Sequence, residues 1–172
     1  MAEKIYVTKE YLVESQKKLQ EILDRLTDIR AEKADAYQND TNTWHDNFAY
    51  EDATRNESMW ENEASRLSQT LNNCSVLSNM NLNVPTVVEL WTLVKVLQTN
   101  LTTATEIERT IGIVPLGAED IDNGIYNYLA PIITPLMGAK VGDTKRIKLE
   151  DELKMKVLDI QRYAALSAAS RL

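Results

Sequence analysis

The sequence is poor in the residues that mark disulfide frameworks, secretion and membrane insertion. Among its 172 residues there are one cysteine, Cys74, five glycines, four prolines and one phenylalanine. A single cysteine cannot form an internal disulfide, which favours a reducing compartment. The N-terminus has no charged stretch followed by an apolar run, and no apolar run approaches the roughly 20 residues that cross a bilayer. We therefore expect a cytoplasmic protein with no membrane attachment.

Basic residues are in the minority. The chain has 19 lysines and arginines against 26 acidic residues, a formal net charge of −7. A free-standing nucleic-acid binder would need Lys and Arg to neutralise phosphates, so a protein partner is favoured. The sequence also has no Gly-rich phosphate loop, Ser/His/Asp set or cysteine cluster, and we expect neither an enzyme active site nor a cofactor of its own.

Two long segments repeat apolar residues at helical spacing. Residues 8–37 contain no Gly or Pro, and Thr8 can cap a helix there. Small and apolar residues in this segment follow a 3-4 spacing that only Lys33 interrupts: Leu12, Ser15, Leu19, Ile22, Leu26, Ile29 and Ala36. The second segment repeats the spacing, with Glu57 as its polar exception: Tyr50, Ala53, Trp60, Ala64, Leu67, Leu71 and Cys74. One apolar stripe on each helix predicts an antiparallel coiled-coil hairpin.

The predicted end of this hairpin, residues 42–52, lies in the most acidic part of the chain. Between Asp35 and Glu63 there are eight acids and one base, Arg55, so this window holds a net charge of −7. Such a concentration of acids favours delivery into a positively charged or metal-containing site.

The rest of the chain predicts a small antiparallel sheet with one short helix. From residue 87 the apolar period changes to two, and a Thr-rich turn separates two strands. A short helix is expected between Pro131 and Gly138, followed by strands at residues 144–149 and 153–160. An Asn-rich link closed by Pro85 marks the boundary. We predict an α+β protein, with a coiled-coil hairpin at residues 1–79 and a sheet domain at residues 80–172.

Two motifs resemble the bacterial GreA/GreB family of transcription elongation factors. The first is Ala130-Pro131-Ile132-Ile133-Thr134-Pro135-Leu136-Met137-Gly138-Ala139-Lys140-Val141-Gly142-Asp143, which is similar to the family's Ser-Pro-Ile…Val-Gly-Asp signature. The second is Asp46-Asn47-Phe48-Ala49-Tyr50, which is similar to the family's Glu-Asn-Ala-Glu-Tyr at the coiled-coil end. The likeness covers about residues 5 to 163.

This resemblance implies a monomer that binds RNA polymerase at its secondary channel. The sheet domain would be FKBP-like and would dock through Pro131, Gly138, Lys140, Gly142 and Asp143, with Lys145, Arg146 and Lys148 as basic contacts. The acidic end would reach the active site and meet nascent RNA only within the polymerase. Asp46, with Asp40 as a weaker second, would hold Mg²⁺ jointly with the polymerase, since Mg²⁺ prefers one or two carboxylates plus waters. Thr43, Trp44, His45, Asn47, Phe48 and Tyr50 would make the remaining contacts.

The sequence departs from the family pattern at three positions. Thr43 stands where cleavage-stimulating members have Asp, Asn42 where they have Gly, and Ala130 precedes Pro131 in place of Ser. Stimulation and inhibition of RNA cleavage therefore both stay open. Asp46 also fits a Thr-x-x-Asp capping box with Thr43, and no second His or Cys accompanies His45 as a metal ligand. The competing functions are an FKBP-like isomerase or chaperone and a coiled-coil adaptor.

Overall fold

The computed structural model describes residues 4–39, 48–77 and 83–163. Within these ranges lie two α-helices, α1 (Lys9–Asn39) and α2 (Phe48–Asn73), and seven strands. The strands are β1 (Ile5–Val7), β2 (Cys74–Val76), β3 (Thr92–Asn100), β4 (Thr105–Val114), β5 (Ile125–Asn127), β6 (Thr144–Lys148) and β7 (Glu152–Arg162). The chain divides into a helical unit, residues 1–5 and 9–76, and a sheet unit, residues 6–8 and 77–172.

The helical unit is the predicted antiparallel pair. Neither α1 nor α2 contains Gly or Pro, and Glu10 lies in the first turn of α1, where a negative charge is favourable. The 3-4 positions of the two helices face each other, and Ile22, Leu26 and Ala64 form their buried core. Leu19, Trp60 and Leu67 are half-buried against that core. The helical-hairpin prediction is confirmed.

The sheet unit is built on five strands in the order β5-β4-β3-β7-β6. The central strand β3 pairs antiparallel with both β4 and β7, with a bulge between Lys95 and Val96 on the β7 side. The edge strand β6 pairs antiparallel with β7. One face of this sheet packs on a buried cluster that includes Val94, Val96, Met155 and Val157. The alternation in the sequence predicted strands, and the structure shows which face of β3 and β7 is buried.

The α+β class is confirmed, and two details differ from the sequence expectation. The sheet is mixed, because β5 pairs parallel with β4, in a region expected to be mainly loop. The expected short helix is a 3₁₀ turn over Thr134–Leu136, flanked by further turns. Pro131 and Pro135 remove two backbone donors from this stretch, which accounts for the short helical segment.

Candidate functional site

The acidic end of the helical hairpin is only partly within the described residues. Asp40, Thr43, Trp44, His45, Asp46 and Asn47 lie outside them, so their predicted roles stay predictions. Phe48 begins α2 and is 72% exposed, while Tyr50 is 36% exposed. The ring of Tyr50 lies 6.1 Å from that of Tyr37, centroid to centroid, so an aromatic contact bridges the two helices. Phe48, in contrast, offers an exposed apolar ring to a partner.

The helix pairing neutralises part of the acidic window. Arg30 and Lys33 precede that window in the sequence, yet both contact Glu57, at 2.9 and 2.7 Å. Arg30 also contacts Glu61 at 2.6 Å. Because a count along the sequence cannot include bases from the facing helix, it overstated the negative field on this part of α2.

The Glu57 carboxylate is the centre of this charged cluster. Hydrogen bonds from Lys33 and Arg30 hold the pKa of Glu57 below its usual range. The same contacts raise the pKa of Lys33 and of Arg30. The Lys33 ammonium also lies 5.4 Å from the centroid of the Tyr50 ring, within the range of a cation–π contact. All three charges are thus favoured by their partners.

The signature segment, residues 130–143, is anchored by three buried side chains. Ile133 and Leu136 are fully buried, and Ala139 is 1% exposed. The backbone is tied to residue 88, because the Val88 amide donates to the Ala139 carbonyl and the Gly138 amide donates to the Val88 carbonyl. Pro131 and Val141 remain exposed. The segment therefore presents exposed residues on a rigidly held backbone.

A tight turn at the end of the signature contains four of the predicted docking residues. The Lys140 amide donates to the Asp143 carboxylate at 2.9 Å, and the Asp143 amide donates to the Lys140 carbonyl at 3.0 Å. Gly138 and Gly142 have φ angles of 76° and 95°, which disfavour any residue with a Cβ. Asp143 thus stabilises the turn with its side chain. Lys140 takes part through its backbone only, and its side chain is exposed.

The basic residues beside this turn form a larger surface than the sequence indicated. Arg146 of β6 pairs in register with Lys154 of β7, and Thr144 with Lys156. Like charges directly opposite each other destabilise a sheet, and Glu152, at 3.8 Å from Arg146, offsets part of this repulsion. Lys145 lies on the other face and is half-buried. Sequence reasoning missed Lys154 and Lys156, although their period-two spacing in a strand was a usable signal.

Of the four aromatic residues that could line an isomerase pocket, Trp91, Tyr126, Tyr128 and Tyr163, three lie in two aromatic pairs. Trp91 and Tyr163 stack with ring planes 9° apart, and Tyr6 packs against Tyr128. A pocket of about 340 Å³ is lined by Tyr6, Leu77, Glu89, Leu90, Trp91, Met137 and Arg162. Trp91 has a φ of 63°, and its indole N–H is buried without an acceptor. Because that N–H is inaccessible, it cannot reach a ligand in the pocket.

The described ranges contain neither a candidate metal site nor a helix that could span a membrane. No group of three or more His, Cys, Asp or Glu side chains there could hold a metal ion. Across the same ranges, neither helix is apolar enough to cross a membrane. The predicted Mg²⁺ contact thus depends on Asp46 and Asp40, outside those ranges.

No protein-family model matches the sequence, and a comparison with curated proteins finds no match. Among solved structures, the chain is similar to GreA factor homolog 1 (Gfh1) of Thermus thermophilus, with 15% identity over 92% of this chain and 99% of that chain and a TM-score of 0.41. Gfh1 of Thermus aquaticus shares 18% identity over 93% and 99% of the two chains, with a TM-score of 0.39. The prokaryotic transcription elongation factor GreA/GreB from Nitrosomonas europaea shares 15% identity over 93% and 99%, with a TM-score of 0.36.

Proposed function

We propose that this protein is a transcription elongation factor of the GreA/GreB type, which binds RNA polymerase through its sheet unit and inserts its helical hairpin into the secondary channel. The observation that supports this most is the signature segment, residues 130–143. Its apolar residues anchor it in the core, while Pro131, Lys140 and Val141 remain exposed for a partner. A segment held in this way can dock with little loss of conformational freedom.

The helical hairpin is an elongated rod, as an inserted element would be. Helix α1 contains 31 residues, which correspond to about 46 Å at about 1.5 Å per residue. The neutralised cluster around Glu57 lies part-way along it, and the predicted functional acids follow at its end. The helices thus act as a stalk, and the residues between them act on the polymerase.

Asp46 is the residue on which the active-site effect depends, and Asp40 is second. Their carboxylates supply oxygen ligands of the kind that Mg²⁺ accepts when it keeps several waters. Mg²⁺ held jointly with the polymerase would activate the water that cleaves backtracked RNA. The residues of this chain bind and orient, and the polymerase performs the reaction. Thr43 at the family's first acid position leaves an inhibitory action as the alternative outcome.

The test is a backtracked elongation complex treated with the native protein, Asp40→Asn and Asp46→Asn. We expect Asp46→Asn to retain polymerase binding, because the amide keeps the size of the side chain, and to abolish the effect on transcript cleavage or elongation rate. Asp28→Asn, an exposed acid on α1, is the matched control and should behave as the native protein. Slowed elongation without released 3′ RNA would assign the protein to the inhibitory type. No effect of the native protein on cleavage or elongation would refute the proposal.

Docking is tested separately with Lys140→Glu in the full chain. The turn uses the backbone of Lys140, not its side chain, so the fold should be retained. We expect weaker binding to core polymerase, whereas Arg109→Glu, the same charge reversal at an exposed position of β4, should bind normally. Equal binding by both variants would exclude the turn from the docking surface.

An isomerase activity has less support. The flat faces of Trp91 and Tyr163 lie against each other, so those two faces are occupied. An assay on a proline-containing peptide distinguishes the two functions, because a polymerase factor would not accelerate isomerisation. A coiled-coil adaptor would bind its partner without needing Lys140.

A further inference from the structure

Two charged residues occupy positions where the apolar stripe of each helix is interrupted. Lys33 replaces an apolar residue in the repeat of α1, and Glu57 does so in α2. In the structure they are partners, with 2.7 Å between the Lys33 Nζ and the Glu57 Oε2. Their side chains are only 26% and 18% exposed, whereas those of Arg30 and Glu61 beside them are about half exposed. The two interruptions are therefore one feature of the helix interface.

Both oxygens of the Glu57 carboxylate have partners. The Arg30 Nε donates to Oε1 at 2.9 Å, while Lys33 donates to Oε2. Two ion pairs of the helical unit are different, because Lys17–Glu21 and Arg55–Glu51 join residues of one helix at 3.8 and 3.6 Å on the surface. A cross-helix contact between half-buried charges fixes one helix relative to the other, which a contact within a helix cannot do.

The apolar positions alone discriminate poorly between alternative alignments. A slip of one heptad would still place aliphatic side chains opposite one another, because the stripe repeats every seven residues. The same slip would set Lys33 against Tyr50 or Ala64 in place of Glu57. The half-buried Lys33 ammonium and the half-buried Glu57 carboxylate would then be unpaired, which would lower the free energy of unfolding. The charged pair therefore penalises the slip, whereas the repeating aliphatic positions do not.

The length of the connection does not set the alignment either. Eight residues separate the end of α1 from the start of α2, and a fully extended chain of that length spans about 26 Å. A one-heptad slip moves one helix along the other by only about 10 Å. The connection could therefore accommodate the slip, so its length does not fix the alignment at the hairpin end.

We propose that Arg30, Lys33 and Glu57 form a register clamp, whose role is to fix the axial alignment of α1 and α2 rather than to add net stability. They are positioning residues. Insofar as the end of the hairpin acts on a polymerase, which rests on the function proposed above, a slip of about 10 Å would misplace Asp46 completely.

The test replaces the clamp by apolar residues in the full chain, as Arg30→Met, Lys33→Leu and Glu57→Leu together. Spin labels at Glu14→Cys and Ser58→Cys, both exposed, report the alignment after Cys74→Ser removes the native thiol. With the clamp intact we expect one narrow distance distribution. Without it we expect a second population displaced by about 10 Å, together with an unchanged or higher melting temperature.

A matched control removes a cross-helix ion pair that shares no residue with the clamp, Lys18–Glu63, which is 3.6 Å long and largely exposed. The variant Lys18→Met with Glu63→Leu should keep the single distance. A single narrow distance in the clamp variant, or an equal broadening in the control, would overturn the proposal. If the triple variant does not fold, Glu57→Gln alone must broaden the distribution.

The polymerase assay separates this inference from the proposed function. A clamp variant with two alignments should bind polymerase normally and lose the effect that depends on Asp46. If the native protein has no effect on transcription, the proposed function fails while the distance measurement still decides the register clamp.

Discussion

The two units of this protein specify their structures with different kinds of residue. The sheet unit buries thirteen side chains in one cluster, among them Ile113, Ile133, Leu136 and Met155. In the described part of the helical unit, the buried cluster comprises three side chains, Ile22, Leu26 and Ala64, and Ile29 and Ala53 are buried outside it. A thick core of varied shapes defines a unique packing by itself. A thin repeating stripe does not, which is why charged residues have a specifying role in the helices.

The largest expected effect is a charge placed in the thin core of the helices. Leu26 is 3% exposed, and Leu26→Asp would bury a carboxylate with no partner. We expect a loss of about 4 kcal/mol in unfolding free energy and loss of the helix pairing. Leu23→Asp is the matched control, because Leu23 is 44% exposed on the same helix. Circular dichroism during thermal unfolding measures both variants, and an unchanged melting midpoint for Leu26→Asp would contradict the observed pairing.

A cavity in the sheet core should have the next largest effect. Leu136 is fully buried in the signature segment, and Leu136→Ala should cost about 3 kcal/mol through lost burial and the cavity left behind. Leu129→Ala provides the control, since Leu129 is 44% exposed. Chemical denaturation monitored by the fluorescence of Trp91, in a background that carries Trp44→Phe and Trp60→Phe, measures the sheet unit. Equal stability of the two variants would mean that Leu136 does not anchor the segment.

Local sequence patterns were enough to predict the paired helices of one unit and the strands of the other. Seven-residue spacing identified the faces of α1 and α2, because side chains three and four residues apart share one side of a helix. Alternation predicted a strand at β3, because successive side chains of a strand point to opposite faces, and the structure shows that Val94 and Val96 lie on the buried face. These features depend on neighbours in the sequence, so the sequence alone reveals them.

Features that depend on distant partners were not predictable in this way. Strand β5 has only three residues, and its parallel pairing depends on the whole loop that returns it to β4. Gly112 permits this approach, since a Cβ there would lie 3.2 Å from the Ile125 side chain. In the sequence, Lys33 and Glu57 each interrupt an apolar repeat. The repeat shows which face of the helix a residue lies on, but not which residue it contacts. Only the pairing of the helices shows that the two exceptions match.

The candidate site was predictable to different extents in the two units. Lys140 and Asp143 were proposed as docking residues from the signature. The structure was needed to show that Asp143 stabilises the turn with its side chain, whereas Lys140 contributes only its backbone. Lys154 and Lys156 were missed because the basic surface crosses from one strand to the next. The roles of Asp40 and Asp46 stay predictions that the transcription assay must test.

The smallest expected effect concerns the response of the register clamp to pH. Arg30 and Lys33 face Glu57 from α1, with Tyr50 and Glu61 nearby on α2. Because the pKa of Glu57 is lowered by folding, its stabilising contribution is present above the unfolded value of about 4.3 and is lost as pH falls through the folded value. Lys33, whose pKa is raised, contributes below its unfolded value of about 10.4 and loses that contribution only at higher, alkaline pH.

The melting temperature of the native protein should therefore exceed that of Glu57→Gln by a constant amount between about pH 6 and 9, and the difference should shrink below about pH 4. Glu61→Gln, at a half-exposed carboxylate, should show a smaller difference at pH 7. A difference for Glu57→Gln that persists undiminished at pH 2 would mean that the ionised carboxylate does not stabilise the helix pair.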